Sequence, residues 1–320
     1  KLGVAVVTAG PGVTDALTGV ANAYYANSPM LLIGGRNPIR EERRGALQEM
    51  DHPRLFDSIT KWSVTAFDAG RYPDYVASAA RHAFANRGGP VFLDTPWDVL
   101  GDSVEENAII WPASYRPNRP AGLPQETLEE VLELLASAQN PVVFAGTGMR
   151  WTKQPGFPDA FDVFARSLKA PVFLNSLARG SLPFGHQYLG NRSRSVALGG
   201  ADVVLVLGVD WDFRTGFGKK VNADATIIQI DVEPTKIGWN RDMHLGIVAD
   251  PGAVGAQLAA NDSRFARSDT PASTEQVFEA EAMLQGVADE ASRADTAPIH
   301  PERFAREVAD YFGDDTIVCA

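Results

Sequence analysis

Short, uninterrupted aliphatic runs alternate along this chain with longer helical patterns, and that alternation constrains the fold more than any other feature. Val4-Ala5-Val6-Val7-Thr8 leads into the turn Gly10-Pro11-Gly12. A run over 30–35 follows a helical pattern over 14–25, and one over 90–94 follows another over 72–85. A strand apolar at every position is buried on both faces, the environment of a parallel sheet with helices on each side. The same grammar returns downstream. Residues 126–138 place Leu128, Val131, Leu132 and Leu135 on one helical face. Strands are expected at 141–145, 171–174, 201–208 and 226–232, with helical stretches near 158–169 and 192–199. The sequence predicts α/β architecture with doubly wound parallel-sheet domains, the second a six-stranded Rossmann-like sheet.

The organisation follows. Residues 1–105 form a first α/β unit. Pro112, Pro117, Pro120 and Pro124 make 106–124 an extended linker, because proline lacks a backbone donor and restricts its neighbour. Residues 125–262 form the central unit, and 263–297 a polar connector with a helix near 274–290. Ile299-His300-Pro301, an apolar helix to Tyr311 and a strand at 316–320 open a further α/β unit at 298. The chain begins without Met, and both ends fall in apolar runs, so both are expected to be cuts within a longer chain.

Charge and cysteine usage exclude several classes. Forty acidic residues against 29 basic ones give a net charge of -11, which argues against nucleic acid or anionic membrane as partner. No apolar run reaches the roughly 18 residues of a bilayer span, and no signal peptide is visible. One cysteine, Cys319, builds neither an internal disulfide nor a zinc site, so a reducing, cytoplasmic setting is expected. His82, His186 and His244 show no metal-ligand spacing, and no metal ligands are expected here.

Four segments, in order, carry a resemblance. They are KLGVAVVTAGPGVTD (1–15) with ANAYYANSPMLLIGGRNP (21–38), and GALQEMDHPRLFDSITKWS (45–63). NSLARGSLPFGHQYLG (175–190) follows, leading to ADVVLVLGVDWDFRTGFG (201–218) and IIQIDVEPTKIGWNR (227–241), and the last is IHPERFAREVADYFGDDTIVCA (299–320). Together they resemble the acetolactate synthase-like family of thiamine diphosphate enzymes, a group that includes 2-hydroxyacyl-CoA lyases and oxalyl-CoA decarboxylases. The resemblance implies that 1–105 is the later part of a pyrimidine-binding domain, 125–262 the central domain, and 298–320 the start of a diphosphate-binding domain. It implies thiamine diphosphate with Mg2+ as cofactor. The family's glutamate that contacts the aminopyrimidine is expected upstream of Lys1, and its metal-holding Gly-Asp-Gly segment downstream of Ala320. The 320 residues alone are therefore expected to be inactive.

The resemblance also assigns residues. Gly10, Pro11 and Gly12 line the pyrimidine ring, with Asp15 where relatives often carry Asn. Gln48 faces the reacting carbon, its amide able to donate and accept without a charge change. Glu49 and Asp51 read as structural or solvated, and His52 as a surface or capping residue with proton transfer as the alternative. His300 marks a helix start. In the central domain, relatives hold FAD or ADP. Gly146, in a turn after a strand, Arg214 as a phosphate contact, Asp231 near ribose hydroxyls, and Asp250 at the end of the next apolar stretch are the candidates. Arg179, Arg192 and Arg194 read as a solvated face. The expected reaction is decarboxylation of pyruvate, a small 2-oxo acid, and its joining to a second carbonyl, in a homodimer or homotetramer. The alternatives are a 2-hydroxyacyl-CoA lyase or oxalyl-CoA decarboxylase, and a non-catalytic nucleotide-binding module.

Overall fold

The computed structural model describes residues 1–115, 119–313 and 315–316. Pro117, Cys319 and residues 317–320 of the expected last strand lie outside the described residues. The chain divides into two compact units, Lys1–Pro120 and Ala121–Ala320.

The first unit runs β1 (Gly3–Val7), α1 (Pro11–Asp15), α2 (Leu17–Tyr25), β2 (Met30–Arg36), α3 (His52–Phe56), β3 (Ser63–Thr65), α4 (Tyr72–Phe84), β4 (Pro90–Pro96) and α5 (Trp97–Leu100). Its strands are parallel in the order β1-β2-β4-β3, with Val4, Leu31 and Val91 in register. Every position of β4 is buried, as its continuous apolar run predicts. Alternate side chains feed opposite cores. Leu31, Val91 and Leu93 pack with Tyr75, Ala79 and Ala83 of α4 on one face. Leu32 and Phe92 pack with Val13, Val20 and Phe56 on the other, where the Phe56 and Phe92 rings stack at 4.4 Å. The single helix expected over 14–25 is two. Pro11 starts α1 early because its fixed φ and missing N–H suit a first turn, and α2 restarts after Ala16.

The second unit runs α6 (Gln125–Ser137), β5 (Pro141–Ala145), α7 (Phe157–Leu168), β6 (Val172–Leu174), β7 (Leu189–Gly190), α8 (Arg194–Gly200), β8 (Val203–Leu207), β9 (Thr226–Asp231), β10 (Leu245–Val248), α9 (Pro251–Ala260), α10 (Ala272–Ala291) and α11 (Pro301–Tyr311). Its six parallel strands lie in the order β10-β9-β8-β5-β6-β7. The order reverses between β5 and β8, the position where an open α/β sheet forms a ligand crevice. Val143, Ala145, Leu205, Leu207, Ile228 and Ile230 face one core, which takes in Leu128, Val131, Leu132 and Leu135 of α6. Val142, Phe144, Val204, Val206 and Ile227 face the other, closed by Trp211, Ala197 and Val277 of α10. The end of the proline-rich segment belongs to this unit. Ala121 O accepts from Asp250 N at 2.8 Å, and Leu123 exchanges two hydrogen bonds with Gln257, at 2.7 and 3.1 Å.

Candidate cofactor site

In the first unit the chain leaves β1 through Gly10, whose φ of 58° and ψ of -111° suit only glycine. A Cβ there would stand 2.8 Å from Cβ of Gln48, so turn and side chain touch. The sequence candidate Gly10 is thus brought against Gln48 from 38 residues away in the chain. Gln48 is exposed and holds a left-handed φ of 58°. Its loop is braced by Glu49, whose carboxylate accepts N–H groups from Arg43, from Gly45 at 2.9 Å and from Ala46 at 3.1 Å. The Arg43 amide, foremost among these donors, holds the Glu49 carboxyl below its usual range. Glu49 is structural, as its sequence reading has it. Asp15 is exposed at the end of α1.

His52 differs from its sequence reading as a surface or capping residue. Its ring is fully buried at the start of α3. Nε2 accepts the Gly10 N–H at 3.1 Å, and Nδ1 lies 3.0 Å from Oδ1 of Asp94. Oδ2 of Asp94 accepts from Arg36 at 2.8 Å and from the Thr65 hydroxyl at 3.1 Å. Arg36 continues to Glu42 at 3.0 Å. Burial, and then Tyr75, Asp94 and Asp98, push the Tyr72 hydroxyl up to about 12. Asp94, Arg36 and Thr65 were missed in the sequence. Asp94 did leave a signal: a carboxylate inside the otherwise apolar run Pro90-Val91-Phe92-Leu93 has to be paired when that strand is buried.

The second unit treats its four candidates differently. Gly146, after β5, and Asp231, ending β9, sit at the same edge of the sheet, on either side of β8. Gly146 is glycine for packing: a Cβ would lie 2.6 Å from the Gly208 carbonyl oxygen. Asp231 is fully buried, and Oδ1 accepts the Glu233 N–H at 2.9 Å. Asp250 caps α9, accepting from Gly252 and Ala253 at 2.9 and 3.1 Å while also holding Thr152 and Lys153. Arg214 is folded back on Asp212, donating at 3.0 and 2.6 Å to one carboxylate oxygen. Asp250 and Arg214 thus both have partners within the protein: the start of α9 with Thr152 and Lys153 for the first, Asp212 for the second. Arg192 pairs with Glu302 at 3.3 Å, and Arg194 lies over the Phe144 ring at 5.5 Å, so the arginine trio is not a solvated face throughout. Among the described residues no group of three His, Cys, Asp or Glu side chains is placed to hold a metal ion. No helix among them is long and apolar enough to cross a membrane.

Comparison with known proteins places this fold and turn in a class. The family described as "Thiamine pyrophosphate enzyme, N-terminal TPP binding domain" matches residues 1–55, which hold Gly10, Gln48 and His52. "Thiamine pyrophosphate enzyme, central domain" matches 128–258. An acetolactate synthase large subunit of Mycobacterium tuberculosis is 32% identical over 99% of this chain and 56% of its own length. A probable acetolactate synthase large subunit of Methanocaldococcus jannaschii is 28% identical over 98% of this chain and 54% of its own. A 2-hydroxyacyl-CoA lyase of Arabidopsis thaliana is 30% identical over 79% of this chain and 45% of its own. The chain belongs to the acetolactate synthase-like family of thiamine pyrophosphate enzymes. It spans about half the length of the relatives it matches.

Proposed function

We propose that the protein is a thiamine diphosphate-dependent enzyme that breaks and makes carbon–carbon bonds at 2-oxo acids, acting on pyruvate as an acetolactate synthase does. The observation that carries this reading is the meeting of the Gly10 turn with Gln48. The residues fit the aminopyrimidine end of the cofactor: a turn bare of side chains apart from the exposed Pro11 ring, with the stem of the uncharged Gln48 side chain beside it. When bound, thiamine diphosphate supplies the carbon nucleophile and electron sink that decarboxylation needs. Gln48 supplies a donor and an acceptor that orient the substrate carbonyl with no change of charge. Magnesium and the diphosphate are assigned to none of the described residues. In the central unit, FAD or ADP would lie at the switch point between β5 and β8, flanked by Gly146 and Asp231. A cytoplasmic homodimer or homotetramer completes the proposal.

The test is acetolactate formation from pyruvate by the complete polypeptide, supplied with thiamine diphosphate and magnesium. Product that disappears without the cofactor supports the reading. A folded, cofactor-bound protein that forms none moves the assignment to cleavage of 2-hydroxyacyl-CoA thioesters, the second reading. That one is favoured by the Arabidopsis relative, at 30% identity.

A further inference from the structure

The buried imidazole of His52 takes no part in the chemistry above, yet it is the group that touches the cofactor-ring turn from below. Nε2 accepts the Gly10 N–H, so it carries no hydrogen, and the ring hydrogen sits on Nδ1, directed at Asp94. Asp94 is in turn fixed by Arg36, at the end of β2, and Thr65, at the end of β3. Three strands, β2, β3 and β4, therefore determine which imidazole nitrogen faces Gly10. The Gly10 carbonyl is already held by the Thr14 N–H at 3.0 Å, so the His52 bond fixes the other side of the residue. His52 also follows Gln48 by four residues, and the bond ties the loop carrying Gln48 to the turn it packs against.

We propose that His52 is a positioning residue for the cofactor. It holds the Gly10 backbone in its left-handed turn and fixes the spacing between that turn and Gln48, with Asp94 selecting the tautomer that can do so. This rests on the reading that the Gly10–Gly12 turn meets the thiamine ring. A leucine at 52 fills similar volume but leaves the Gly10 N–H buried and unpaired. A glutamine can offer an oxygen acceptor in the same place.

The test compares wild type, His52→Leu and His52→Gln in the complete polypeptide. Three quantities are read: hydrogen exchange of the Gly10 amide without cofactor, the dissociation constant for thiamine diphosphate with magnesium, and the nitrogen NMR signature of the His52 ring. In His52→Leu the Gly10 amide exchanges faster and cofactor affinity falls by about tenfold or more (~1.4 kcal/mol). His52→Gln restores slow exchange and most of the affinity, and the wild-type ring shows an unprotonated Nε2. A folded His52→Leu protein with wild-type exchange and affinity would overturn the proposal, as would a protonated Nε2. Should His52→Leu fail to fold, the ring signature and His52→Gln decide. A wild type that binds no thiamine diphosphate, yet shows His52-dependent Gly10 exchange, overturns the cofactor reading and not the bond between the two residues.

Discussion

At the scale of single residues, the site turns on Gly10, a position where no side chain is accommodated. Replacing Gly10 with alanine forces a Cβ into 2.8 Å contact with Gln48 and into a backbone conformation alanine avoids. Strain of this kind costs about 1–3 kcal/mol. The expected result is a lower melting temperature together with weaker thiamine diphosphate binding; an alanine variant unchanged in both would show that the turn is not the cofactor's seat. Asp94→Ala removes a fully buried carboxylate that both Arg36 and His52 engage. Breaking such a pair costs roughly 3–5 kcal/mol, readable as a lower urea midpoint. His186 carries a pH dependence in the second unit. Its ring is buried, Nδ1 accepts from Tyr188 N at 3.2 Å, and Nε2 lies 3.2 Å from Asp162 without hydrogen-bond alignment. Desolvation, and then Arg166, hold its pKa below the ordinary 6.5, while Asp162 opposes them. The folded state thus disfavours the proton, so stability is full above 6.5 and falls as the pH drops through 6.5 toward the folded value. The urea midpoint of wild type should decline across that window more steeply than that of His186→Gln. Equal slopes would remove His186 as the cause.

At the scale of elements, helix α10 is clamped by a carboxylate as well as packed through Val277. Glu281 accepts the N–H groups of Asn191, Arg192 and Ser193 at 3.0, 3.0 and 2.8 Å, and the Ser193 hydroxyl at 2.7 Å. Burial alone would raise its pKa; these donors outweigh burial and leave it below the usual value. Glu281→Ala leaves three amides to find water or stay unpaired, a loss of about 1–3 kcal/mol. Faster hydrogen exchange across residues 272–291 should report it, and unchanged protection there would deny the clamp. Glu281 was not legible in advance, because a carboxylate on a polar helix carries no mark of the amides it will meet. The long elements were legible. β4 opens on the apolar run Pro90-Val91-Phe92-Leu93, β8 is aliphatic throughout, and Leu128, Val131, Leu132 and Leu135 repeat at helical spacing. β3, β7 and β10 were not: two to four residues long, they extend the sheets with too few side chains to set a period. Asp250 held a local signal that went unread. An Asp directly before Pro251-Gly252 is the pattern of a helix cap, and the cap is what it makes.

At the scale of the whole molecule, the two units stand on different footings. The second closes both faces of its sheet, with α6 and its neighbours on one side and Trp211, Ala197 and Val277 on the other. The first also packs both faces of its sheet, but with smaller cores, built around Leu31, Val91 and Leu93 on one face and Leu32, Phe56 and Phe92 on the other. Unfolding free energy follows the apolar area withdrawn from water, so the second unit should be the more resistant one. Between the two sheets, residues 102–108 are exposed at every position, and Ile110 and Trp111 are 83% and 70% exposed. Backbone of this kind is where proteases cut first. Limited proteolysis should therefore open the chain within 101–115. It should leave a resistant piece beginning close to Ala121, since Ala121 and Leu123 are hydrogen-bonded to Asp250 and Gln257. That piece should keep a cooperative thermal transition while peptides from Lys1–Pro120 disappear. Loss of both units at one rate would show that the second core does not stand alone. It would also deny that Pro120 and Ala121 mark the boundary between two folding units.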